Sequence, residues 1–248
     1  MGFTFGAKSQ INISTANPVI LSHTTIANTK LLVIGIMTKT TVVRTGGSPT
    51  YNGVTMTQVG STMIGSAECT AELWYLSAPS IGTYNVSVPN TGALIITVIA
   101  SSYVDATVTG ATLDQYNSTN VSVANPSLSV TTGFNGEAIV DVFGSGLNAL
   151  AHTPNKTLLY QKDEGIWCSN AQYALQASAG LITFTWTCAI DDVAFIVGAF
   201  KGITGPQTGF NKLQYSTEPP TTGAFNKLKY VSEPPVPGAW NKLAYAGE

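Results

Sequence analysis

The strongest pattern in this sequence is a succession of short runs rich in valine, isoleucine, threonine and aromatic residues, each followed by glycine, proline, asparagine or serine. Turn residues at intervals of about 8 to 12 positions are typical of short β-strands. Between Thr183 and Cys188, threonine alternates with Phe184, Trp186 and Cys188. This period of two places aromatic side chains on one face of a strand and hydroxyls on the other. The chain is therefore predicted to be all-β.

The candidate strands are residues 10–14, 31–39, 41–44, 54–59, 71–77, 82–88, 93–103, 121–123, 128–131, 137–143, 156–161, 171–177, 181–188 and 193–200. This number of short strands predicts one two-sheet antiparallel sandwich with a jelly-roll-like topology. The runs 31–37 and 93–100 show no polar face, so we expect both in the centre of a sheet.

The sequence changes character after residue 202, where it becomes rich in proline and glycine and repeats itself. Phe210, Phe225 and Trp240 stand 15 residues apart, and each begins the motif aromatic-Asn-Lys-Leu-x-Tyr. Three near-identical motifs at a fixed interval indicate a repeat. We therefore divide the chain into a β-sandwich domain, residues 1–202, and a Pro-rich C-terminal extension, residues 203–248.

Each repeat carries a small apolar patch formed by its aromatic, leucine and tyrosine side chains. Such a patch does not offset the cost of ordering its own backbone, about 1 to 2 kcal/mol per residue, so we expect it to dock on folded protein. Pro-Pro pairs after the first two repeats keep the spacers extended. The candidate partner-binding residues are Phe210, Asn211, Leu213, Tyr215, Phe225, Asn226, Leu228, Tyr230, Trp240, Asn241, Leu243 and Tyr245.

The sequence leaves open where the repeats dock. They could fold back on their own domain as extra strands. They could also bind neighbouring subunits, where several evenly spaced anchors gain avidity through effective concentration. The second arrangement predicts a homo-oligomer.

Charged residues make up 10% of the chain, against roughly 25% in a typical soluble domain. The polar surface must consist of hydroxyls and amides, which lose less on desolvation than ions do. Such a surface suits an assembly subunit and also a secreted sugar-binding module. The net charge of −2 argues against a nucleic-acid partner. Membrane insertion is not expected, because no apolar run approaches the ~18 residues that a spanning helix needs.

No basic start precedes an apolar segment at the N-terminus, so we expect no secretory signal peptide. Assembly in a host cytoplasm fits this expectation, with an extracellular surface as the alternative. The spacing of Cys69, Cys168 and Cys188 does not match a zinc site. We expect three buried cysteines, with a Cys168–Cys188 disulfide as the less favoured alternative.

Catalytic motifs are missing from the sequence, which contains neither G-x-S-x-G nor a P-loop. His23 and His152 are expected in loops at the surface, without a catalytic role. Residues 163–164 and 191–192 are acidic pairs, but neighbours on a strand point to opposite faces and do not form a catalytic dyad. Calcium bound through Asp191 or Asp192 is a minor alternative. We therefore predict no enzyme activity, cofactor or metal.

A resemblance to known proteins is carried by YNGVTMTQVG, from Tyr51, and AELWYLSAPSIGTYNVSV, from Ala71. Over about residues 51–88 these segments resemble jelly-roll-like β-sandwich modules of phage and bacterial surface proteins. The resemblance implies display on a particle or cell surface and no catalytic residue. Independently, Asn52-Gly53 predicts a type I′ hairpin turn.

These observations favour a virion structural protein, such as a capsid, decoration or tail-associated subunit, that binds other subunits of the particle. One alternative is a carbohydrate-binding or adhesin module that uses Trp74, Trp167 or Tyr173 as a sugar platform. Another is a subunit of an extracellular filament, joined to its neighbour by strand addition.

Overall fold

The computed structural model describes residues 2–39, 42–65, 69–92, 94–146, 152–163, 167–204, 213–214 and 229–230. The chain divides into two units, Met1–Ile203 and Thr204–Glu248. The described residues form strands and connecting loops, and none of them forms a helix that could span a membrane. The all-β prediction is confirmed for this part of the chain.

The strands of the first unit follow one another with short connections. They are β1 (Thr4–Ser14), β2 (Val19–Thr25), β3 (Thr29–Thr38), β4 (Thr50–Tyr51), β5 (Val54–Thr55), β6 (Thr57–Gln58), β7 (Met63–Ile64), β8 (Thr70–Ser77), β9 (Gly82–Val88), β10 (Ile96–Val104), β11 (Gly110–Val123), β12 (Ser127–Thr132), β13 (Glu137–Ser145), β14 (Thr153–Pro154), β15 (Thr157–Asp163), β16 (Cys168–Gln176), β17 (Gly180–Thr187) and β18 (Asp191–Ile203). The second unit contains β19 (Leu213–Gln214) and β20 (Lys229–Tyr230).

The strands of the first unit form four antiparallel sheets. The first inner sheet has the order β1-β10-β3-β8-β6, with β7 also paired to β8, and the first outer sheet has the order β2-β9-β4-β5. The second inner sheet has the order β11-β18-β13-β16-β15, and the second outer sheet has the order β12-β17-β14.

The sheets pack in four layers, with the two inner sheets in the middle. Strand β3 shows why, because its successive side chains point to opposite faces. Leu32 and Ile34 pack with Val86 of the first outer sheet. Leu31 and Val33 belong to the core cluster shared with the second inner sheet. A strand covered on both faces has no polar side, which explains the continuous apolar run in the sequence.

A third core cluster lies between the second inner and second outer sheets. Phe143 of β13 and Phe195 of β18 pack there against Phe184 and Trp186 of β17. The Phe143 ring stacks on Trp186 with 5.6 Å between centroids and meets Phe195 edge-on at 5.5 Å. Burying a large apolar side chain contributes about 1.5 to 3 kcal/mol, so this cluster alone stabilises the second sandwich substantially.

The two sandwiches have the same topology. The two inner sheets have identical strand orders if β1, β2, β3, β4, β6, β8, β9 and β10 are matched with β11, β12, β13, β14, β15, β16, β17 and β18. The short strand β7, which pairs with β8, has no counterpart. The outer sheets also agree, apart from the additional β5 in the first. The first unit is therefore an internal structural duplication.

The correspondence extends to individual residues. Thr25 ends β2 opposite Gly82 of β9, and Thr132 ends β12 opposite Gly180 of β17. Each threonine hydroxyl donates to the carbonyl of its glycine and accepts from that glycine's N–H, at 3.2 Å in the first sandwich and 3.0 Å in the second. Both glycines have positive φ, 127° and 151°, a region that favours glycine.

Several features differ from the sequence-based expectation. One two-sheet sandwich was expected, and two stacked sandwiches are present. Residues 42–44 form a loop instead of part of a strand, because Arg44 turns inward and its guanidinium binds the Glu72 carboxylate at 2.8 Å. Strand β2 and most of β11 were not predicted. In β2, His23 occupies a buried position and interrupts the apolar alternation.

Candidate functional site

The predicted partner-binding residues lie almost entirely outside the described residues. The exceptions are Leu213 in the first repeat and Tyr230 in the second, whose backbones pair in the two-residue antiparallel ladder of β19 and β20. The other ten are Phe210, Asn211, Tyr215, Phe225, Asn226, Leu228, Trp240, Asn241, Leu243 and Tyr245, and their role remains a prediction.

The two histidines are not at the surface, contrary to expectation. His23 lies in strand β2, and both His23 and His152 are buried. The His23 ring contacts the Ser9 hydroxyl through Nδ1 at 3.0 Å, and burial lowers its pKa to about 4. The His152 ring meets the edge of Phe143. Both side chains belong to the interior of the molecule.

Each sandwich encloses one carboxylate that accepts a tryptophan N–H. In the first, the Trp74 indole donates to Glu72 at 2.8 Å, beside the Glu72–Arg44 ion pair. In the second, the Trp186 indole donates to Asp141 at 3.0 Å. Burial raises the pKa of Asp141 to about 8, although its hydrogen bonds with Gln172 and Trp186 oppose the shift. Both carboxylates are enclosed in the interior of their sandwiches.

Other residues with possible chemistry are also enclosed. The thiols of Cys69, Cys168 and Cys188 are buried, as expected, and burial raises the pKa of Cys69 to about 12. Asp191 and Asp192 are buried at the start of β18. In the described part of the chain, no group of three or more histidine, cysteine or acidic side chains is placed to hold a metal ion.

The aromatic residues predicted as sugar platforms are in the wrong place for that role. Trp74 and Trp167 are buried in the core clusters, and Tyr173 stacks on Phe5 with 4.9 Å between ring centroids. The prediction fails because the inner sheets are covered on both faces. Trp74 faces the first outer sheet, and Tyr173 packs at the border of the core between the two inner sheets.

An open depression of about 410 Å³ lies on the first outer sheet. It is bounded by β2, β9 and the β4–β5 hairpin. Its lining residues are Ile20, Thr50, Asn52, Gly53, Thr83, Tyr84, Asn85 and Ser87. None of these eight residues carries a charge.

The wall of the depression is the hairpin that the sequence predicted. Asn52 and Gly53 have φ values of 49° and 77°, and both central residues of a type I′ turn require positive φ. The Asn52 backbone N–H donates to the carbonyl of Asn85 at 3.2 Å, and its side-chain amide donates to the Ser80 hydroxyl at 3.2 Å. The turn is thereby fixed against β9, and the prediction of a hairpin here is confirmed.

Tyr84 lies in β9 at the edge of the depression, and its side chain points to the inner face of the first outer sheet, as that of its partner His23 does. Its side chain is 36% exposed, while its ring packs edge-on against buried Tyr51 at 5.9 Å and 89°. Tyr51 is held in turn by its hydroxyl, which donates to the carbonyl of Gly82 at 3.2 Å. The ring of Tyr84 is therefore supported from below and accessible from solvent.

The polar side chains of the depression point to the opposite, outer face of the sheet. Within the described residues, the side chains of Thr50, Asn85 and Ser87 make no hydrogen bond to the protein. The Thr83 hydroxyl shares a 2.8 Å hydrogen bond with Thr24. The depression thus offers hydroxyl and amide groups, which both donate and accept hydrogen bonds.

Sequence reasoning found the Asn52-Gly53 turn but did not single out Tyr84. The alternation of Thr83, Asn85 and Ser87 with Val86 and Val88 was visible in the sequence. It does not indicate which end of β9 is uncovered, and that end is where Tyr84 lies.

Comparison with known proteins gives no further guide to this site. No protein family, no curated protein and no solved structure matches the chain. Its function must therefore be inferred from its own geometry.

Proposed function

We propose that the chain is a non-enzymatic structural subunit of a virus or phage particle, which binds neighbouring subunits through its C-terminal repeats. The observation that carries the proposal is the strand order of the two sandwiches. With edge strands β6 and β7 set aside, the first sandwich has sheets β1-β10-β3-β8 and β2-β9-β4-β5. This is the alternation of a jelly roll, an architecture common in viral capsid domains and lectins. The second sandwich repeats it without the counterpart of β5.

The distribution of charge supports a structural role. The acidic groups Glu72, Asp141 and Glu137 are buried in the described residues, and the Glu72 and Asp141 carboxylates accept hydrogen bonds from internal donors. The outer sheets present threonine, serine and asparagine instead, together with exposed apolar side chains such as Ile20 and Leu181. A surface of this type is desolvated at low cost when subunits pack together.

The C-terminal repeats supply the predicted contacts. Three aromatic anchors, Phe210, Phe225 and Trp240, recur at a constant interval along the extension. Equivalent anchors at equal spacing suit a symmetric assembly, which offers equivalent pockets on successive subunits.

Deletion of residues 205–248 tests the proposal. Electron microscopy of the purified full chain should show closed particles or rings, whereas the shortened chain should keep its circular dichroism spectrum and sediment as a single folded subunit. The triple variant Phe210→Ala, Phe225→Ala, Trp240→Ala should behave like the deletion. A matched control, Lys212→Ala, Lys227→Ala, Lys242→Ala, should assemble normally.

Either of two results would contradict the assignment. Assembly that is unchanged in the deletion variant would show that the repeats are not anchors. Long fibres in place of closed particles would favour the filament alternative.

A further inference from the structure

We propose that the β12–β13 loop, residues 133–136, is a pH-sensitive latch, which the carboxyl groups of Asp114 and Glu137 hold closed and which loosens when Glu137 loses its proton. This inference is independent of the proposed assembly function, because it rests on contacts within the second sandwich and not on the C-terminal repeats.

The two carboxyl groups hold the loop through its backbone. Oε1 of Glu137, the first residue of β13, accepts a hydrogen bond from the Phe134 N–H at 2.8 Å. Oδ2 of Asp114, in β11, accepts from the Gly133 N–H at 2.8 Å. Lys201 of β18 contacts both parts, because its Nζ lies 3.4 Å from Oδ1 of Asp114 and 3.7 Å from the centroid of the exposed Phe134 ring. The position of the loop therefore depends on the charges of this cluster.

Those charges do not balance when both carboxyl groups are ionised. Glu137 is fully buried, and its Oε2 makes no hydrogen bond in the described residues. Asp114 places one negative charge beside it, and Lys201 supplies one positive charge for the pair. The other segments around Glu137 contain no charged or titratable side chain; they are residues 2–7, 130–136 and 174–182. Ionised Glu137 would therefore lose its hydration without gaining a cation of its own.

The direction of the pH effect follows from this environment. Burial raises the pKa of Glu137 to about 7, and the negative charge of Asp114 adds to the shift, whereas the Phe134 N–H and Lys201 oppose it. An open loop exposes Glu137 to water, where its pKa returns towards 4.5. Between these values the closed form retains a proton that the open form has released. The closed form therefore loses stability as pH rises from about 4.5 to about 7.

The first sandwich contains a neutral counterpart of this latch. Its β2–β3 loop corresponds to the β12–β13 loop, because the two sandwiches share one topology. There the Ile26 N–H donates to the hydroxyl of Thr29, the first residue of β3, at 3.1 Å. In both loops an N–H thus binds the side chain three residues later, at the start of the next strand. A hydroxyl does so in the first sandwich and a titratable carboxyl group in the second.

Amide hydrogen exchange of the full chain, followed by NMR between about pH 5 and pH 8, tests the latch. Protection factors, which already correct for the intrinsic effect of pH on exchange, are compared for two amides. The Phe134 protection factor should fall by up to about tenfold per pH unit and level off above about pH 7. The Ile26 protection factor is the internal control and should change by less than about threefold. Carbon NMR of the Glu137 carboxyl group should give a midpoint near 7.

Three variants assign the effect to the carboxyl pair. Glu137→Gln keeps an oxygen that accepts from the Phe134 N–H but does not titrate, so the Phe134 protection factor should no longer depend on pH. Asp114→Asn removes the neighbouring negative charge and should lower the midpoint of the Glu137 titration. Asp105→Asn alters a buried carboxylate of the β10–β11 loop, which binds the Thr107 N–H, and as the matched control should leave the Phe134 profile unchanged.

Three results would overturn the proposal. The first is a Phe134 protection factor that stays constant over the pH range in the parent chain. The second is an equal fall at Phe134 and Ile26, and the third is a fall that persists in Glu137→Gln. A Glu137 midpoint near 4.5 would overturn it without any variant.

Discussion

Gly35 of β3 lies directly opposite Val142 of β13, at the contact between the two inner sheets. A Cβ atom at residue 35 would lie 2.6 Å from Cγ2 of Val142, well inside van der Waals contact. Gly35 is therefore required by close approach of two layers. Gly198 has the same role on β18, where a Cβ atom would lie 3.0 Å from Leu73.

The first prediction concerns this contact between sandwiches. Gly35→Ala should lower the free energy of unfolding by about 1 to 3 kcal/mol, because the added methyl overpacks the junction. Replacing glycine by alanine usually raises the free energy of unfolding by about 0.4 to 1 kcal/mol, because it reduces the conformational entropy of the unfolded chain. Overpacking at residue 35 acts in the opposite direction. Urea unfolding gives the measurement.

A double-mutant cycle with Val142→Ala supplies the control for that prediction. The smaller side chain should make room for the methyl, so the double variant should lose less stability than the sum of the two single variants. Strict additivity would mean that Gly35 and Val142 do not limit each other.

The second prediction follows from the duplicated threonine–glycine contact. Thr25→Val and Thr132→Val each remove a buried hydroxyl that satisfies the N–H of Gly82 or Gly180. Each variant should lose about 1 to 3 kcal/mol, because a buried polar group is left without its partner. Thr24→Val, which alters an exposed neighbour, serves as the control and should change stability by less than about 0.5 kcal/mol. If Thr25→Val were as stable as the parent chain, the Thr25–Gly82 contact would not be equivalent to the Thr132–Gly180 contact.

The third prediction concerns pH. The pKa of Asp141 is about 8 in the folded chain and 3.8 as an unperturbed group, because burial disfavours its charged form. Between these values the folded state binds a proton that the unfolded state has released. The free energy of unfolding should therefore fall as pH rises, by up to about 1.4 kcal/mol per pH unit, and level off above about pH 8.

Asp141→Asn isolates this contribution, because the amide is neutral throughout and the remaining titrating groups are common to both proteins. Urea unfolding of the two chains at several pH values should show a steeper fall for the parent. Parallel profiles for parent and variant would rule out the raised pKa.

The fourth prediction concerns His23, whose pKa burial lowers to about 4. Below about pH 6.5 the unfolded chain gains a proton that the folded chain does not, so the stability contributed by the neutral ring is lost as pH falls towards 4. Its buried Nε2 has no hydrogen-bond partner in the described residues, so protonation would leave a donor unsatisfied.

Imidazole NMR signals check this directly. In a His152→Gln background the remaining signal should stay constant between about pH 5 and pH 8. A midpoint near 6.5 would show that His23 is accessible to solvent in the folded protein.

Much of the local structure was predictable, for identifiable reasons. The alternation in β17 and the Asn52-Gly53 turn depend on neighbouring residues, and both are present as predicted. The burial of Trp74 and His23 was not predictable, because a period of two shows that a strand has two faces without showing which are covered. The duplication was hidden because corresponding strands share topology but little sequence.

The sequence by itself determined that the chain forms short antiparallel strands. It also determined the positions of several turns and the presence of a repeated extension after the β-rich part. These properties arise from backbone sterics and side-chain alternation over a few residues. Tertiary structure alone decided that two sandwiches stack into four layers and that Tyr84 stands at an uncovered rim. Both depend on pairings between distant segments, such as β1 with β10 and β11 with β18, whose register no local pattern specifies.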